Sequence, residues 1–157
     1  MKILTKFFVS IFFVGYIKFA PGTWGTLVSL LIMYILLNIL SFPLIILTII
    51  FIFLFFISNY LINYFSFITN SHDSKYIVID ELLGVFIIFL FYDLIFIYND
   101  ITTYLLIFFI FRIFDIIKIF PANYFDNHWK NGYGVILDDI IAGLYTVITL
   151  IVLNAFI

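Results

Sequence analysis

Cysteine is absent from the 157 residues. That excludes disulfide bridges, thiolate metal sites and a cysteine nucleophile. Charge is scarce too: Asp, Glu, Lys and Arg together make up 10% of the chain, against about 25% in a soluble domain. So few charges do not cover a water-facing surface, and a soluble globular protein and a disordered one are both excluded. No basic tract occurs and the net charge is −2, so phosphate neutralisation on nucleic acid is excluded as well. What is present is 66% hydrophobic, with a mean hydropathy of +1.30. This is the composition of an integral membrane protein.

A spanning helix needs roughly 20 mostly apolar residues. Residues 27–40, extendable back to Trp24, and residues 44–65 are two such stretches, separated by Ser41 and Pro43. Proline suits a helix's first turn, so Pro43 is expected to open a returning helix. One long kinked helix over 27–57 is the alternative, and it overshoots the bilayer. Further spans are expected over 80–97, 102–120 and 138–157. Residues 7–17, preceded by Lys2 and Lys6, resemble the apolar part of a signal peptide, but Lys18 closes the run without a small-residue cleavage site. They are too short to span and are expected to lie on the inner leaflet as an interfacial helix. The expectation is an all-α, integral membrane helical bundle of about five membrane-associated helices, forming a single domain over 1–157. With the N-terminus inside, all 7 basic residues (Lys2, Lys6, Lys18, Lys75, Arg112, Lys118, Lys130) fall on the inner side, as the positive-inside rule asks.

Charged groups inside apolar helices are costly, so their placement is informative. His72-Asp73 is followed by Asp80-Glu81-Leu82-Leu83-Gly84; Arg112, Asp115 and Lys118 recur every third residue; Asp126 and Lys130 come next; Gly132-Tyr133-Gly134 leads to Asp138-Asp139. Positions i, i+3 and i+6 share one broad helix face, which groups Arg112, Asp115 and Lys118. The two acidic pairs stand near helix starts, where the helix dipole favours carboxylates. Gly84 lies four residues after Asp80, and Ala142 and Gly143 lie four after Asp138 and Asp139. Small residues there allow close helix approach or leave room for a ligand. Crowded carboxylates repel unless a cation or proton sits among them, and an all-oxygen set suits a hard ion such as Mg²⁺. Arg112 and Lys118 can hold phosphate oxygens, and Pro21-Gly22-Thr23-Trp24-Gly25-Thr26 is a glycine-flanked turn entering a helix. Together these point to a phosphorylated lipid headgroup at the membrane surface.

Other readings of the same residues exist. Acidic residues at helix starts also serve as N-caps, the glycine turn can be only a turn, and His72 and His128 can be ordinary loop residues. Asp93 and Asp100 lie toward the outer side and read as structural or solvated. A small transporter or channel subunit with a carboxylate ion pathway is the alternative class. Transporter sites, however, lie near the midplane, whereas these charges gather at one interface.

The ordered set resembles phosphatidylglycerophosphatase A, a bacterial membrane lipid phosphatase. The matching elements are PGTWGT at 21–26, HD at 72–73, DELLG at 80–84, FRIFDIIK at 111–118, FD at 125–126 and GYGVILDDIIAG at 132–143. The resemblance covers about residues 6–150. It implies Mg²⁺-dependent hydrolysis of the terminal phosphate monoester of phosphatidylglycerophosphate, giving phosphatidylglycerol and phosphate, at the cytoplasmic side of the bacterial inner membrane. It implies no obligate protein partner. On this resemblance Asp80, Glu81, Asp138 and Asp139 are metal-binding and catalytic carboxylates, joined by Asp115 in catalysis. Arg112 and Lys118 would bind phosphate, Gly22 and Thr23 would shape its pocket, and Asp73 and Asp126 are second-rank substrate contacts. The chain departs from the family at Ile119, where a proline is usual after the lysine, and at Ile136, where methionine is frequent. Without that proline, Lys118 is freed from its restriction.

Overall fold

A computed structural model describes residues 2–71, 74–95 and 100–156, with Asp100 described for its backbone alone. Every regular element within them is helical. α1 (Lys2–Val9) leads through a 3₁₀ turn (Val14–Tyr16) to α2 (Pro21–Tyr34), which runs on as a π-turn (Ile35–Ile39). Then follow α3 (Leu44–Thr69), α4 (Ile79–Phe89), the short α5 (Tyr92–Ile95), α6 (Asp100–Ile117), α7 (Ala122–His128) and α8 (Gly132–Ala155). Among the described residues, three runs are long and apolar enough to cross a membrane: Pro21–Ile39, Leu44–Thr69 and Gly132–Ala155. Large apolar side chains such as Leu31, Phe53 and Ile148 are exposed on them, as a lipid solvent requires.

The break between α2 and α3 falls where Ser41 and Pro43 lie. Ser41 takes a left-handed φ of 50° and Pro43 occupies the N-cap of α3, so residues 24–65 form two helices rather than one kinked helix. α8 begins at Gly132, before the acidic pair, because Asn131 accepts a hydrogen bond from the Gly134 amide at 3.1 Å. The Gly132 amide also donates to Asn63 Oδ1 on α3 at 2.8 Å.

Two expectations need correction. Residues 80–97 do not form one span: α4 has 11 residues, about 16 Å at the α-helical rise, roughly half the hydrocarbon thickness. Hydropathy does not separate a lipid-facing helix from one enclosed by protein. α4 is of the second kind, with Glu81, Leu83, Val85, Phe86, Ile88 and Phe89 all buried. The interfacial segment over 7–17 is also not one helix. The Ser10 hydroxyl donates to the Lys6 carbonyl at 2.5 Å and accepts from the Phe13 amide at 3.1 Å. Ile11, Phe12 and Phe13 then turn the chain through left-handed conformations. That turn docks α1 on the entry to α4, where the Val78 amide donates to the Val9 carbonyl at 3.0 Å.

The centre of the bundle is the α4–α8 crossing. A Cβ on Gly143 would collide with the Gly84 carbonyl, and one on Gly84 would lie 2.7 Å from the Asp139 carbonyl and 2.8 Å from the Phe111 ring. The two backbones therefore touch, as small residues permit, and Phe86, Phe89, Phe111, Ala142 and Leu150 pack around the contact. Gly143→Ala is expected to lower stability in detergent by about 1–3 kcal/mol, read by thermal unfolding. Leu144→Ala, one residue along on an exposed position, is expected to change it far less. Equal effects would remove the crossing from its central place.

Candidate active site

The starts of α2, α4 and α8 meet the end of α6 and the short α7 at one end of the bundle. A cleft of about 160 Å³ opens there, lined by Gly22, Asp80, Glu81, Asp115, Lys118, Asp126, Asp138 and Asp139, with Ser74 and Lys75 at the entry to α4. It is large enough for several waters or a phosphoryl group.

Asp80 and Glu81 occupy the first turn of α4, which no side chain caps. The Glu81 amide donates to Asp80 Oδ1 at 3.1 Å. The Gly84–Gly143 contact sets α8 alongside, so Asp80, Glu81 and Asp139 each offer a carboxylate oxygen within 4.8 Å of the others. Glu81 and Asp139 are 8% and 4% exposed. Three carboxylates this close, two of them buried, repel strongly unless a cation or protons share the space. The buried Glu81 Oε2 has no hydrogen-bond partner in the described structure, an orphan that a ligand would satisfy. Hard oxygen donors, crowding and an orphaned carboxylate oxygen fit a divalent cation such as Mg²⁺.

Asp138 is divided from that trio. Successive helix residues point about 100° apart, and Asp138 turns to Lys118, whose Nζ donates to Asp138 Oδ2 at 2.6 Å and pairs with Asp126 Oδ1 at 2.9 Å. Burial works against the Lys118 charge, but the Asp138 and Asp126 carboxylates outweigh it and raise its pKa. Lys118 itself takes a left-handed φ of 47° just past the end of α6, a conformation that a following proline would disfavour; Ile119 permits it. Arg112 pairs with Asp115 one turn on and lies 4.0 Å from Glu81 Oε1. Its Nη1 would sit 3.1 Å from a Cβ on Gly22, and that Cβ would also strike Glu81 Oε1. Any larger residue at 22 would therefore displace the ends of the Glu81 and Arg112 side chains.

Of the residues singled out by sequence, Asp80, Glu81, Asp115, Lys118, Asp126, Asp138, Asp139 and Gly22 line the cleft. Arg112 stands behind it, held by Asp115 and Glu81. Thr23 is half-buried and does not line it. His72 and Asp73 lie outside the described residues, as does the Asp100 side chain. Ser74 and Lys75 line the cleft but carried no role in the sequence reading. The signal for Lys75 was its position between the HD and DELLG motifs.

The Lys118 bridge makes a testable claim on stability. Lys118→Met leaves the buried Asp138 carboxylate without its cation and is expected to cost about 2 kcal/mol. Adding Asp138→Asn is expected to restore part of that loss, both read by thermal unfolding in detergent. Additive losses would mean that the two side chains do not interact.

The sequence profile of phosphatidylglycerophosphatase A matches residues 7–154. A phosphatidylglycerophosphatase A of Haemophilus influenzae is 37% identical over 134 residues, covering 85% of this chain and 78% of that protein. A putative phosphatidylinositol-3-phosphatase of Bacteroides thetaiotaomicron is 33% identical over 150 residues, covering 88% and 86%. No solved structure matches the chain. With nearly its whole length matched and most of the motif carboxylates gathered at one cleft, this chain belongs to the phosphatidylglycerophosphatase A family.

Proposed function

We propose that the protein hydrolyses the terminal phosphate monoester of phosphatidylglycerophosphate, with Mg²⁺ in the cleft, at the cytoplasmic face of a bacterial inner membrane. The observation that carries this reading is the close set of Asp80, Glu81 and Asp139 carboxylates beside the Lys118 ammonium, at the end of an otherwise apolar bundle. The distribution of basic residues supports the cytoplasmic placement.

Asp80, Glu81 and Asp139 are the residues that would hold the cation. When bound it supplies charge neutralisation and Lewis acidity toward a phosphoryl oxygen. Lys118 and Lys75 are placed to receive the phosphate dianion, and Arg112 lends positive charge from behind. Asp138 and Asp126 fix the Lys118 ammonium, so it is oriented before substrate arrives. A cleft carboxylate accepts a proton from water as its oxygen attacks phosphorus in line. The phosphorus–oxygen bond to the glycerol headgroup breaks, and the departing oxygen takes up a proton. The products are phosphatidylglycerol and inorganic phosphate.

The second relative bears on the headgroup. The Bacteroides thetaiotaomicron protein is named a putative phosphatidylinositol-3-phosphatase, so a phosphatidylinositol 3-phosphate substrate is the competing reading.

The test is phosphate release in detergent micelles from both lipids, with Mg²⁺ and with excess EDTA, for the natural protein and for Asp80→Asn. Release from phosphatidylglycerophosphate, lost with EDTA and reduced about 100-fold or more in Asp80→Asn, is expected. Preference for the phosphoinositide would overturn the substrate. Unchanged turnover in EDTA or in Asp80→Asn would overturn the metal and the carboxylate roles respectively.

A further inference from the structure

An entirely apolar groove of about 440 Å³ runs between α2 and α6, walled by Leu27, Leu31 and Tyr34 on one side and Leu105, Phe108 and Phe109 on the other. Leu31, Leu105 and Phe109 are each more than half exposed. The two helices are the ones whose lower ends reach the phosphate cleft, through Gly22 on α2 and Asp115 on α6. Thr23 lies four residues before Leu27 and Arg112 three after Phe109, so each sits one turn below the groove on its face. At that level the first turn of α2 touches Arg112, since a Cβ on Gly22 would lie 3.1 Å from Arg112 Nη1.

We infer that this groove seats one acyl chain of the substrate glycerophospholipid while the headgroup occupies the cleft; the inference rests on the lipid phosphatase reading above. From Gly22, the groove begins about 7 Å along α2 at Leu27 and ends about 18 Å along at Tyr34, at 1.5 Å per residue. That range lies mostly within one leaflet, about 15 Å deep, of a hydrocarbon core about 30 Å thick. The groove walls expose no polar surface, and the groove starts only about 7 Å along α2 from Gly22, which lines the cleft. Its contribution is orientation more than affinity, because a chain leaving bulk lipid for an apolar wall gains little transfer energy. Holding the chain aims the phosphate ester at the carboxylates. The inference also accounts for Thr23 and Arg112, which stand where the glycerol backbone passes from groove to cleft.

Leu31→Trp and Leu105→Trp fill the groove from opposite walls and touch none of the cleft residues. Each is assayed against long-chain phosphatidylglycerophosphate and against its fully deacylated headgroup. The expected result is that kcat/KM for the long-chain lipid falls about tenfold or more while headgroup hydrolysis is unchanged. Equal rates on the long-chain lipid would overturn the groove assignment. So would a change in oligomeric state by light scattering without the substrate-selective loss, which would make the groove a contact between copies. Absence of hydrolysis of either substrate by the natural protein would instead overturn the phosphatase reading. In that event, phosphatidylglycerophosphate with a mid-chain diazirine still tests the groove. Labelling of α2 and α6 that unlabelled phosphatidylglycerophosphate suppresses and phosphatidylcholine does not supports it. Even labelling over α3 and α8 overturns it.

Discussion

The Gly84 carbonyl lies where a side chain on Gly143 would begin, and the rest of the site depends on that contact. α4 and α8 touch backbone to backbone three to five residues above their acidic pairs, so the pairs are brought together by packing that contains no charge. The repulsion among Asp80, Glu81 and Asp139 is borne by the apolar packing of Phe86, Phe89, Phe111 and Ala142 around the crossing. In a membrane, where hydrophobic burial between helices gives little advantage over lipid, such close packing is the main cohesive term. Strain at the site is therefore carried by its scaffold.

The electrostatics divide into two halves with different partners. Asp80, Glu81 and Asp139 face one another with Arg112 reaching only Glu81, at 4.0 Å, whereas Asp138 and Asp126 are occupied by Lys118. Arg112 is held between Asp115 and Glu81 and keeps a buried Nε without a partner. The first half is short of positive charge and the second is nearly balanced. This is the arrangement expected where a cation and a phosphoryl group arrive together, each meeting the charge that it lacks.

Much of this was legible in the sequence because the chain is so apolar that its few polar residues stand out. The acidic pairs, the glycines four residues beyond them and the Arg112–Asp115–Lys118 series all reach the same end of the bundle. The break at Ser41 and Pro43 was legible through proline chemistry. Three things were not. The length of α4 was hidden because an enclosed helix and a lipid-facing helix have the same hydropathy. The parting of Asp138 from Asp139 depends on the helix phase relative to neighbours that spacing does not fix. Lys75 offered only a charge in a loop, and its place on the cleft follows from how the Gly15 and Ser10 turn docks beside Tyr76, where a Cβ on Gly15 would meet the Tyr76 carbonyl.

The divalent-cation site proposed for Asp80, Glu81 and Asp139 depends on the packing of α4 on α8. Titration of Mn²⁺ into the detergent-solubilised protein, followed by electron paramagnetic resonance of the free ion, tests this without any turnover. The account predicts saturable binding near one ion per chain, displaced by Mg²⁺ and lost in Asp139→Asn. Binding that persists undiminished in Asp139→Asn, or no binding by the folded natural protein, would contradict it.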